Sequence, residues 1–159
     1  LLAARAGEGQ ESIELRSVAD RIVFIDFAIR SIGERPLLGV GIGNFPWRTS
    51  YYIAETFYDL RGDNVHMVVL AVAAELGIVG LLLLLLALLS GVVAVVKGLR
   101  AAHPNDDRAA RLALFAVFVA LTAVGVLDHY PWTQLHFQVA WWGSLSAAMP
   151  RLSPEAATT

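Results

Sequence analysis

Two side chains sit where chemistry is costly: His66 and Glu75, within the stretch NVHMVVLAVAAELGIVGLLLLLLALL at residues 64–89. An imidazole titrates near neutral pH and suits general-base work. A carboxylate entering a bilayer costs about 2.5–3.5 kcal/mol on insertion scales, so its presence needs a reason. Further along, Asp128 and His129 adjoin in DHYPWT, while Arg21, Arg30, Arg35, Arg48 and Arg61 precede the apolar run. Guanidinium groups are the side chains best matched to phosphate, through forked hydrogen bonds. Each residue also has a plain use. Arg21 flanks an apolar stripe and can snorkel to headgroups. His66 can end a helix, Asp128–His129 can cap a span, and the remaining arginines can be solvated loop charges. Position alone is satisfied by these plain uses.

Other chemistries lack their patterns. His66, Glu75, Asp128 and His129 are ligand types, but no His-x-x-x-His or His-Glu-x-x-His spacing occurs, so no metal site is expected. His103 lies in a charged loop and His136 within an apolar run, apart from this group. There is no Gly-x-Ser-x-Gly elbow and no cysteine for a disulfide, a thiolate site or a nucleophile. Gly39, Gly41 and Gly43 alternate in PLLGVGIGNFPW, yet no Walker lysine follows and no strand precedes them. They are read as structural, forming a tight, close-packed turn.

Composition says where these residues sit. The 159 residues are 57% hydrophobic and 16% charged, with mean hydropathy +0.60, too apolar for an ordinary soluble domain. Residues 1–63 hold seven of the twelve basic and nine of the fourteen acidic groups, and 78–96 hold none. Water above lipid selects that segregation. Net charge is −2, so no nucleic-acid partner is indicated. The opening LLAARAGEGQES has no basic n-region. Its two leucines read as the tail of an earlier span, and the chain as the C-terminal piece of a longer multi-pass protein.

The expected fold is therefore all-α: a multi-pass membrane fragment with about three transmembrane helices and a large extracytoplasmic helical loop. Residues 1–65 form that loop and 66–159 the membrane portion. After a loose linker at 1–12, an amphipathic helix at about 14–33 carries Leu15, Val18, Ile22, Ile25, Ile29 and Ile32 at helical spacing. Phe24 and Phe27 lie off that stripe, so the helix is greasy nearly all round and wedged between protein and membrane surface. Gly33 and Pro36 end it. Residues 47–63, aromatic and charged, suit a lid or interfacial loop. A short interfacial helix at 64–76 breaks at Glu75 and Gly77, leaving Glu75 at the membrane boundary, against protein and within reach of water. The 19 uncharged residues 78–96 then cross roughly 30 Å of hydrocarbon. Four basic residues in 97–111 mark a cytoplasmic loop. Spans at about 112–127 and 133–149 follow, with Tyr130 and Trp132 at interface depth. This count puts His66, Glu75, Asp128 and His129 on the outer face.

The succession DRIVFIDFAIRSIGERPLLGVGIGNF and then VHMVVLAVAAELGIVGLLLLLL resembles the C-terminal half of the O-antigen ligase and polymerase family. Members typically show an arginine at the start of an amphipathic helix, a P-x-x-G-x-G-x-G-x-F turn, and His-Asn followed by Glu-Leu-Gly and a span. Here these are Arg21, Pro36 to Phe45, His66, and Glu75-Leu76-Gly77. DHYPWT is similar to a segment late in some bacterial members, and the likeness covers about residues 16–135. Met67 stands where the family usually has asparagine, leaving Asn64 as a substitute for holding the imidazole. The resemblance implies a GT-C type glycosyltransferase of the bacterial cytoplasmic membrane, with its active face outward. It would move glycan from a polyprenyl-diphosphate carrier to a glycan or lipid acceptor, with no cofactor or metal. It implies Arg21 on the diphosphate and His66 as base or acceptor-positioning group. Arg30, Arg48, Arg61, Asp128 and His129 are read as substrate-binding, Asp128 orienting or balancing an imidazole or guanidinium, and Glu75 as structural. A transporter fragment or a noncatalytic membrane scaffold is the alternative.

Overall fold

In the computed structural model of the chain, residues 2–54, 64–101 and 108–150 are described, and all their regular structure is helical. The elements are α1 (Leu2–Glu34), α2 (Phe45–Ala54), α3 (Val68–Ala101), α4 (Arg108–Leu127), α5 (Tyr130–Thr133) and α6 (Leu135–Ala148). They fall into two compact units, residues 1–81 and 82–159, so the start of α3 belongs to the first unit. Arg61 lies outside the described residues.

α1 begins at Leu2, so residues 2–12 are helical and not a loose linker. Leucine, alanine, arginine, glutamate and glutamine in that stretch are good helix formers, and together they outweigh Gly7 and Gly9. The face that packs is also not the isoleucine stripe. Phe24, Phe27, Ala28 and Ser31 are buried, whereas Ile22 and Ile29 are 62% and 59% exposed. Those two sets lie on opposite sides of a 3.6-residue helix. The phenylalanine face meets α2, with the Phe24 and Phe27 rings edge to face at 6.2 Å and the Phe27 and Tyr52 rings tilted at 5.3 Å.

Residues 45–54 of the expected loop region are helical, with Phe45, Thr49 and Tyr52 buried at intervals of four and three. That is the helical period of one packed face. Pro46 sits in the first turn, where its missing N–H costs nothing.

The glycine turn and the break in α3 form one joint. α3 is non-helical at Gly77 (φ 67, ψ −170). In an unbroken helix the N–H groups of Ile78 and Val79 would bond the carbonyls of Ala74 and Glu75. Here Ile78 and Val79 donate instead to Pro36 and Leu37, at 2.8 and 3.3 Å. The released carbonyls accept from Val40 and Gly41, at 2.9 and 2.8 Å. These four groups freed by the break thus find partners in the turn, as buried backbone requires. The break and the tight turn are both as expected from the sequence.

In the second unit α4 and α6 pack side by side, with α5 against both. The Phe118 and Trp141 rings stack at 6.4 Å. Trp141 Nε1 donates to Thr122 Oγ1 at 2.9 Å, and that hydroxyl donates to the Phe118 carbonyl at 2.8 Å. Gly91 of α3 allows close packing, because a Cβ there would stand 2.7 Å from Leu145 Cδ2. α3 (34 residues) and α4 (20 residues) are long and apolar enough to cross a membrane. Only 11% of the apolar window of each is buried, where a core helix of a soluble protein would be mostly covered. Apolar surface on that scale calls for lipid or further helices around it. The third expected span is divided: α5 and α6 part at Gln134, whose φ −104 and ψ 117 are extended. α6, with 14 residues, reaches about 21 Å.

Candidate functional site

In the first unit, His66 lies in the short segment that leads from residue 64 into α3. Its ring stands edge-on to Phe24 at 6.5 Å. Arg21 is exposed, one turn before Phe24 and about 60° round the helix from it. Arg21 and the ring that His66 meets thus lie one turn apart on α1. Met67 N–H donates to the Val65 carbonyl at 2.8 Å, a tight bend that turns the chain into the helix. Asn64 is buried, and its Oδ1 accepts from the Val65 N–H at 3.0 Å, so that oxygen shapes the segment carrying His66.

Glu75 is 1% exposed, so its carboxylate is not at the water-accessible position expected for it. The reason is the joint: docking the glycine turn onto residues 74–75 covers this part of the helix. Gly39, Gly41 and Gly43 all have positive φ, and Gly39 and Gly41 contact or flank the docked carbonyls.

Arg48 does not stand open as a phosphate ligand. It donates to Glu34 through a guanidinium nitrogen and to the Tyr52 hydroxyl through Nε at 3.3 Å. Tyr52 donates in turn to Glu34 Oε1 at 3.0 Å. Arg30 also lies over the Tyr52 ring, 5.1 Å from its centroid. The hydrogen bond from Arg48 holds the Glu34 carboxyl below its ordinary pKa, while burial pushes the Tyr52 hydroxyl up. Sequence reading missed Glu34 and Tyr52. Tyr52 falls on the buried period of α2, which was the available signal, but nothing local ties it to Glu34 eighteen residues away.

Beside this cluster Arg35, Val40, Asn44, Trp47, Arg48 and Tyr51 line an open cavity of about 190 Å³. Asn44 Nδ2 donates to the Val40 carbonyl at 3.2 Å and so stiffens the rim.

In the second unit Asp128 follows the end of α4, and its Oδ1 accepts the His129 N–H at 2.7 Å. The same oxygen lies 3.7 Å from His129 Nε2. Nδ1 of that buried ring meets Thr133 Oγ1 at 2.7 Å. A hydroxyl on one ring nitrogen and a carboxylate near the other hold the orientation of the imidazole. Asp128 thus lies against both the backbone N–H and the ring of His129.

The fold defines a class: an all-helical chain with two helices suited to a membrane, and an arginine- and aromatic-rich helical unit joined to the first of them. Compared with family models, with curated proteins and with solved structures, the chain matches none.

Proposed function

We propose that this chain is the C-terminal portion of an O-antigen ligase- or polymerase-like glycosyltransferase of the bacterial cytoplasmic membrane, working at its outer face. Its donor is a polyprenyl-diphosphate-linked glycan and its acceptor a glycan or lipid hydroxyl. In this reading α3 and α4 are two of about three crossings, α5–α6 completes the third, and residues 1–65 form the extracytoplasmic loop.

The observation that carries the reading is the seating of His66 against Phe24, one turn from Arg21. Far apart in sequence, these two groups supply what transfer from a lipid diphosphate needs. The acceptor oxygen attacks the anomeric carbon while His66 takes its proton. The bond from that carbon to the diphosphate oxygen breaks, and the diphosphate leaves with the electron pair. Arg21 stabilises the charge that develops there. Asp128 and His129 contribute a second oriented imidazole for substrate, and Arg30 and Arg61 add cationic contacts. Arg48 supports the loop through Glu34 and lines its cavity.

The test is transfer in cells by the full-length protein carrying Arg21→Ala or His66→Ala. Loss of surface glycan at unchanged membrane level supports the mechanism, and wild-type transfer by either variant removes that residue from it. A scaffold or transporter tolerates both changes without a glycan phenotype.

A further inference from the structure

The cavity beside Glu34 and Arg48 has a composition that the transfer chemistry does not use. Trp47 and Tyr51 are four residues apart on α2, hence on one face, and are 73% and 64% exposed. Aromatic surface left open this way, next to a concave wall, is a stacking platform. Its rim is polar. Arg48 is fixed by Glu34 and Tyr52, and its guanidinium carbon lies 6.0 Å from the Tyr51 ring centroid. Asn44 spends its Nδ2 on the Val40 carbonyl and so presents its Oδ1 as an acceptor. Arg35 also lines the wall, and among the described residues no carboxylate pairs with it.

We propose that this cavity is a subsite for one sugar residue that carries an anionic substituent. The ring's apolar C–H face lies on Trp47 and Tyr51, its hydroxyls meet Asn44 and Arg48, and its carboxylate is taken by Arg35. The charge balance selects an anion. Arg48 is neutralised by Glu34, which leaves Arg35 as the cavity's one guanidinium with no carboxylate paired to it among the described residues. At about 190 Å³ the space suits a single ring and not an oligosaccharide. The choice of a sugar as ligand rests on the glycan-transfer reading; the stacking face and the unmatched guanidinium do not depend on it.

The experiment is titration of the chain in phosphatidylcholine nanodiscs with methyl glucuronide and with methyl glucoside, followed by calorimetry. Wild type is expected to bind the glucuronide about tenfold more tightly than the glucoside, the worth of one charge-assisted hydrogen bond. Trp47→Ala is expected to weaken both about fivefold, the worth of one aromatic contact. Arg35→Gln is expected to abolish the preference and keep the glucoside. Because both side chains are exposed, helix content by circular dichroism should be unchanged. Absence of binding by wild type, or equal binding by Trp47→Ala, overturns the proposal. So does bromolipid quenching of the tryptophan emission that Trp47→Phe removes, which would put this face in the headgroups. Glycan transfer that persists when the subsite fails would sink the subsite alone, and sugar binding without transfer would sink only the transferase.

Discussion

Gly39 and Gly77 each pack against the backbone beside the other. A Cβ on Gly39 would stand 2.3 Å from the carbonyl carbon of Glu75, and one on Gly77 would stand 2.3 Å from that of Leu37. Both have positive φ, 65 and 67. Neither glycine accepts a side chain, for the same reason: each lies where the other's neighbouring backbone must pass. This contact, between a surface turn and a break in an apolar helix, holds the helix that follows His66 to the loop unit.

Gly39→Ala and Gly77→Ala should each destabilise the first unit by at least about 1–3 kcal/mol, the cost of the strained φ alone. Because both break one joint, the double variant should cost less than the sum. Gly143→Ala is the control, since its Cβ would meet nothing within 4 Å. In a helix it should be neutral or stabilising by up to about 1 kcal/mol. Thermal unfolding in nanodiscs followed by circular dichroism decides the matter.

The inverted packing of α1 is tested by two truncations. Phe27→Ala removes a ring that is 2% exposed and should cost about 3–5 kcal/mol. Ile29→Ala, on the outward stripe, should change folding stability by less than about 0.5 kcal/mol. Equal losses would mean that both faces pack on protein.

Glu34 gives a pH signature. Its pKa is lowered, first by the hydrogen bond from Arg48, so its stabilising contribution is present above the ordinary value of 4.5 and is lost as pH falls through the lower folded value. The partners are 39% and 36% exposed, which limits the effect to below about 1 kcal/mol and makes it salt-dependent. Glu34→Gln should flatten the stability profile across that acid window. An unchanged profile would mean that the ion pair contributes nothing in solution.

Thr122 and Trp141 should couple. Thr122→Val leaves the indole N–H of a buried tryptophan unpaired and should cost about 1–3 kcal/mol. In a Trp141→Phe background the same change should cost about 1 kcal/mol less, read from a double-mutant cycle by denaturant unfolding.

For transfer itself, loss of a general base is worth about 10²–10⁴-fold in rate. His66→Ala should lie in that range, and Asp128→Asn, acting through His129, should cost less. A rate assay with a synthetic lipid-diphosphate donor on the full-length protein separates the two.

Much of the fold was legible in the chain. Nineteen uncharged residues after Gly77 can be little other than an apolar helix, and a glycine beside a carboxylate marks where such a helix breaks. The alternating glycines announce a turn with little room for side chains. The helical course of 45–54 was legible too, in the spacing of Phe45, Thr49 and Tyr52, but aromatic and charged neighbours masked it as a loop. Reading α1 by its isoleucines chose the longer stripe and missed the packed one.

Local pattern alone determined that this chain is helical, that charge and apolarity part near residue 64, and where the backbone must bend. Those properties depend on neighbours three or four positions away, so they are written in order along the chain. Only tertiary structure decided that Phe24 and Phe27 face inward, that the glycine turn satisfies the broken helix, and that Arg48 is held by Glu34. Each of these is a choice between chemically adequate alternatives. An isoleucine face and a phenylalanine face repel water alike, and a freed carbonyl accepts any donor that reaches it. The partner is set by which distant segment packs there.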